Sequence, residues 1–292
     1  MSNPPPAIDR RPADGGWPAD ALTAAMTLSM VAAAALGLLT PSIYRDNLLV
    51  SAGWRGNDAV TLLVAVPLVV MARLRSRRGS ARAHVLWLGL IDYALYNYLF
   101  YLFGSAINAA FLLYVVIVSL ATFALAAGLA TAHASGIGAR LVVSRTAARL
   151  VATLLLLLVA GLGAVHVGTA LTLVATGEVP AVVRAVGHPT NVIAALDLWL
   201  VVSWSLPAAW WTWHRQPLGL LLATVVTVKG AVYMAALAAA TVTALRAGAA
   251  VEPAQLAVWA AIGAGCLAAA ARLLWIVRDD TSGHSRAFVD SM

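Results

Sequence analysis

The chain has 292 residues, of which 62% are hydrophobic and 11% charged, with a formal net charge of +7. A soluble domain is nearer half apolar and a quarter charged, and no polar segment here is long enough to build a second core, so the chain reads as a single membrane domain. The lone cysteine, Cys266, excludes a disulfide framework or a Cys/His metal motif, and the arginines lack the interleaved aromatics of a nucleic-acid surface.

Residues 1–19 are proline-rich and polar, with Arg10 and Arg11, and read as a disordered cytoplasmic tail. A transmembrane helix needs about 20 apolar residues. Residues 20–40 satisfy that and are too long for a signal-peptide core, so they are expected as an uncleaved first span. Residues 41–58 read as a polar loop, followed by a short second span at 59–72 carrying Pro67 and prolonged by Asn57 and a snorkelling Arg73. The next loop holds Arg73, Arg75, Arg77, Arg78 and Arg82. Further spans are expected at 85–103, 109–132, 150–174, 190–213, 218–245 and 256–277, with a polar tail at 278–292. Gly161, Gly163 and Gly168 in the fifth span, and Gly263 and Gly265 in the eighth, are candidates for close helix packing. The expected fold is therefore an all-α polytopic bundle of about eight spans, with membrane domain 20–277.

Eight spans place both termini on one side. Fourteen arginines fall in the segments on that side and four, Arg45, Arg55, Arg184 and Arg246, on the other. The positive-inside rule then puts both termini in the cytoplasm of a plasma-membrane protein, with Trp210, Trp211, Trp213 and Trp275 at the cytoplasmic interface and Trp17 just outside it.

Three ionisable residues lie inside the apolar runs: Asp92, Asp197 and Lys229, the only lysine against eighteen arginines. A charge in hydrocarbon costs at least a few kcal/mol, so such residues face the bundle interior and pair. At a rise of about 1.5 Å per residue, all three fall in one central layer, and Lys229 is expected to meet at least one aspartate. Two acids and one base leave a formal charge of −1, which favours a protonated carboxyl or a bound cation. Arginine stays charged whereas a buried lysine readily releases its proton, so a lysine kept in an arginine-rich chain points to titration. On the third span, Asp92, Tyr93, Tyr96 and Asn97 share one arc of the helix, with Tyr101 at its edge and Tyr98 facing away. They read either as hydrogen-bonding glue between helices or as a polar path ending at Asp92. Tyr233, one turn after Lys229, completes the candidate polar site. His166 reads as a hydrogen-bonded core histidine, with no second histidine at ligand spacing.

The run Asp92-Tyr93-Ala94-Leu95-Tyr96-Asn97-Tyr98-Leu99-Phe100-Tyr101-Leu102-Phe103-Gly104, then Asn108 and Phe111-Leu112-Leu113-Tyr114-Val115, resembles a group of prokaryotic multi-pass proteins labelled only as hypothetical membrane proteins. Arg215-Gln216-Pro217-Leu218-Gly219 and Val228-Lys229-Gly230 share that resemblance, which covers spans three, four, six and seven. It implies a bundle of about eight helices and carries no function. Trp204, Pro207 and Trp210, followed by a helix with Lys229, are similar to microbial rhodopsins, in which such a lysine carries retinal. The chain departs from that family: the Trp-to-Pro spacing is one short, Val225 stands where an aspartate belongs, and the lysine is on the penultimate helix.

No nucleophile–base pair, HExxH or interfacial acidic motif points to an enzyme, and neither cofactor nor metal is expected. The sequence supports a proton- or cation-linked transporter or channel centred on Asp92, Asp197 and Lys229. The alternative is a membrane scaffold or accessory subunit whose buried network is structural. The partners implied are the lipid bilayer and, at the polar site, protons, a cation or a small-molecule substrate. Nucleic acid is not among them, and an oligomer stays open.

Overall fold

The computed structural model describes residues 16–40 and 42–277. The tail at 278–292, and all but the end of the one at 1–19, lie outside the described residues, as does the side chain of Trp17. The chain is a multi-pass membrane protein: among the described residues, eight helices are long and apolar enough to cross a membrane. In order they are α1 (Gly16–Leu39), α2 (Leu48–Arg77), α3 (Ala81–Gly104), α4 (Phe111–Ala134), α5 (Arg145–Thr176), the short surface helix α6 (Ala181–Val186), α7 (Val192–Trp213), α8 (Pro217–Arg246) and α9 (Gln255–Ile276). Side-chain caps set several starts: Asn47, Ser80, Ser144 and Asn191 each accept a bond from a first-turn amide. Gly177, at φ 73°, closes α5 in the left-handed conformation that suits glycine.

Two helices form the interior. The most apolar windows of α3 and α8 are 72% and 67% buried, against 39% or less for the other spans. α3 packs against α2, α4 and α8, while α8 packs against α2, α3, α7 and α9. Glycines permit the close crossings. A Cβ on Gly89 of α3 would lie 2.5 Å from Val228 of α8, and one on Gly56 of α2 would lie 2.5 Å from the Ala239 backbone of α8. With no hydrophobic drive between helices in lipid, such backbone proximity and interhelical polar bonds hold the bundle.

Three expectations need correction. The second span is not 59–72 but the thirty-residue helix Leu48–Arg77. Its first three turns carry Trp54, Asn57 and Asp58, which read as loop yet are buried against α3 and the α1–α2 loop. Arg73 does not simply snorkel: it bonds Asp20 at 2.6 Å and lies over the Trp87 ring at 4.6 Å. Among the described residues nothing lies within 4 Å of a methyl added at Gly161, Gly163 or Gly168, whereas Gly263 and Gly265 do meet Met234 and Leu154.

Two spans are not uniform α-helix. Thr61–Ala65 of α2 and Asp197–Val202 of α7 are π-helical, and each segment precedes a proline, Pro67 and Pro207. Proline lacks an N–H and its ring collides with the carbonyl four residues back, so a locally wider turn accommodates it. In α7 that turn points Asp197 into the bundle while Trp199 and Trp204 face outward, 60% and 51% exposed.

Candidate functional site

The crossing of α3 and α8 at Gly89 and Val228 determines what meets beside it. There Lys229 Nζ lies 3.2 Å from Asp92 Oδ2, the lysine side chain 5% and the aspartate 17% exposed. The ammonium also sits over the face of Tyr96, 5.3 Å from the ring centroid, where the quadrupole attracts a cation. Lys229 is twelve residues into a thirty-residue helix, about 18 Å from its start, and so near mid-membrane.

Asp197 does not bond Lys229. Its Oδ2 lies 2.8 Å from Nε2 of His166 on α5, and its Oδ1 accepts the Tyr96 hydroxyl at 2.5 Å. Tyr96 thus joins two acid–base pairs, with its ring under Lys229 and its hydroxyl on Asp197. Tyr233 packs edge-on against the same ring, centroids 4.7 Å apart. The site draws on α3, α5, α7 and α8. It holds two acids and two bases, so a protonated His166 would balance the charge that the aspartates and lysine leave open.

Toward the face opposite the arginine-rich one, α3 continues the polar stripe. Asn57 Nδ2 donates to Asn97 Oδ1 at 2.7 Å, Tyr93 donates to Asn57 Oδ1 at 3.5 Å, and the Tyr93 and Thr61 hydroxyls are 3.4 Å apart. The Asn97 amide nitrogen is fully buried and, among the described residues, has no hydrogen-bond partner. An unpaired buried amide costs free energy, and the usual occupant of such a position is a water or a ligand acceptor. One turn further out, the carboxyl of Asp58 accepts Tyr44 at 2.5 Å and Tyr101 at 2.8 Å. Tyr44 lies in the α1–α2 loop. Burial, and next the nearby Asp58 carboxyl, push its phenol far above the ordinary tyrosine value, so it keeps its proton and donates.

Asp92, Tyr96, Asp197, Lys229 and Tyr233 therefore meet at one site, while Tyr93 and Asn97, on the same helix as Asp92, bond Asn57 in a second group. Residues read otherwise from the sequence join them: Asn57, Asp58, Thr61 and Tyr44, with His166 as the bonded partner of Asp197. One signal could have found the first three. Trp54, Asn57, Asp58 and Thr61 stand at i, i+3, i+4 and i+7, a polar stripe on one face of an otherwise apolar helix. Among the described residues no three His, Cys, Asp or Glu side chains cluster as metal ligands. No family model, curated protein or solved structure matches the chain.

Proposed function

We propose that the protein is a proton- or cation-linked transporter or channel of the plasma membrane, with both termini cytoplasmic and its ion site at Asp92, Lys229, Asp197 and His166. The observation that carries this reading is the joining of two acid–base pairs through one tyrosine at mid-membrane. Ionisable side chains are placed there at a cost and mark ion paths, and within each pair, Lys229 with Asp92 and His166 with Asp197, a proton can pass between the bonded partners. The asymmetric distribution of arginine supports the orientation.

The test is flux through the purified full chain in liposomes that trap a pH-sensitive or alkali-cation-sensitive dye, driven by a potassium diffusion potential. Flux above protein-free liposomes, lost in Asp92→Asn and in Lys229→Arg, is the expected result. Arginine keeps the charge but does not release its proton at accessible pH. Silence to protons and to alkali cations under every gradient overturns the reading.

A second reading has its own observation: Lys229, Asp92, Asp197 and His166 each already bond a partner within the bundle. As a scaffold, the network would fix α3, α5, α7 and α8 in register, and Lys229→Arg would leave function unchanged.

A further inference from the structure

Asp58 is 2% exposed in the outer part of α2, and among the described residues the side chains bonded to it are phenols. Tyr44 closes it from the α1–α2 loop and Tyr101 from α3. α1 approaches with bare backbone at Gly37, where a Cβ would collide with Asp58 Oδ2 and with the Tyr44 hydroxyl. The other titratable groups nearby are Tyr93 and Tyr98 of α3, Tyr114 of α4, and Asp46 of the loop, whose Oδ2 accepts Trp54 Nε1. α8 faces this part of α2 with alanines 239 and 240, and Arg55 on α2 is exposed.

Tyr101 can serve either charge state of Asp58. Its hydroxyl has one proton and two acceptors, Asp58 Oδ1 at 2.8 Å and the Trp54 carbonyl at 3.1 Å. With Asp58 ionised, the proton points at the carboxylate. With Asp58 protonated, the acid donates to the Tyr101 oxygen and Tyr101 donates to Trp54. Both states are satisfied by turning one hydroxyl, with no heavy-atom movement.

Access is visible on the same side. A cavity of about 600 Å³ opens between the α1–α2 loop and the α3–α4 turn, lined by Thr40, Ser42, Ile43, Arg45, Ile107 and Asn108. Tyr44, 7% exposed, is the residue between two of its lining residues and the Asp58 carboxyl. The Tyr114 hydroxyl, 1% exposed for the residue, faces Asn108 and Tyr44 without bonding geometry to either. Among the described residues it has no hydrogen-bond partner, and a water there would bridge toward Tyr44 and the carboxyl.

We propose that Asp58 is a proton-binding site that exchanges with water in this outer cavity, with Tyr44 as the latch over it. The proton comes from that water and returns to it, so charge and atoms balance with no other reactant. This deepens the proton-linked reading above and rests on it for the inward leg.

The experiment is infrared spectroscopy of the full chain in liposomes, titrated in pH and repeated in heavy water, reading the carbonyl stretch of protonated carboxyls. Wild type is expected to show a buried-acid band that disappears as pH rises, absent in Asp58→Asn and kept in Asp92→Asn. Tyr44→Phe is expected to shift that band and to speed its deuterium exchange about tenfold, as loss of one hydrogen bond to the carboxyl implies. Where Asp58→Asn fails to fold, Tyr44→Phe and Tyr101→Phe carry the test through the band shift. Spectra of Asp58→Asn that superimpose on wild type at every pH overturn the site, and unchanged exchange in Tyr44→Phe overturns the latch. Wild-type liposomes without flux but with an Asp58 band remove the transport reading and leave the proton site standing. Flux with no Asp58 band does the reverse.

Discussion

Replacing Lys229 with methionine removes an ammonium that is nearly sealed in protein, 5% exposed at the side chain, from an aspartate that is 17% exposed. Breaking a buried ion pair costs about 3–5 kcal/mol because the remaining charge is stranded, and the slight opening at Asp92 places its share at ~3 kcal/mol. The ammonium's position over Tyr96 adds about 1 kcal/mol, so Lys229→Met is expected to destabilise by ~4 kcal/mol. Asp92→Asn leaves Lys229 its ring contact and an amide oxygen, and should cost ~2 kcal/mol. The double variant strands neither charge and should lose ~3 kcal/mol, a coupling of about 3 kcal/mol. Unfolding of detergent-solubilised protein by titration with dodecyl sulfate, followed through the ten tryptophans, measures all three. Asp197→Asn should not rescue Lys229→Met, because Asp197 bonds His166 and Tyr96 instead. A Lys229→Met, Asp92→Asn double variant no more stable than Lys229→Met refutes the pairing, as does rescue by Asp197→Asn.

Gly37→Ala pushes a methyl into the Asp58 carboxyl and is expected to cost ~2–3 kcal/mol in the same unfolding assay, with partial recovery when Asp58→Ala is added. Gly56→Ala presses on the Ala239 backbone and should cost ~1–3 kcal/mol by opening the α2–α8 crossing. Gly163→Ala has open space around it and should be neutral or stabilising by up to ~1 kcal/mol; equal losses in these two variants would contradict the packing. Reporter fusions after Ser80 and after Val182 should report opposite sides of the membrane, with the first cytoplasmic. The same side for both would break the span count between them.

Composition and length determined that this chain is a membrane bundle, because only a helix satisfies its own backbone in hydrocarbon and only about eight runs are long enough. The cost of an isolated charge in lipid likewise marked Asp92, Asp197 and Lys229 as inward-facing. Depth along each helix follows from a fixed rise per residue, so their common layer was legible too. Which acid takes the lysine was not. That depends on lateral position and rotation, decided by Gly89 admitting Val228 and by the π-turn that aims Asp197 at His166. Asp58 was hidden for a related reason. Averaged hydropathy treats Asn57 and Asp58 as loop residues because it scores each side chain against lipid, whereas Asn97, Tyr44 and Tyr101 supply their polar partners inside the bundle. The partners come from a distant helix and a loop, so only the tertiary structure brings them to the carboxyl.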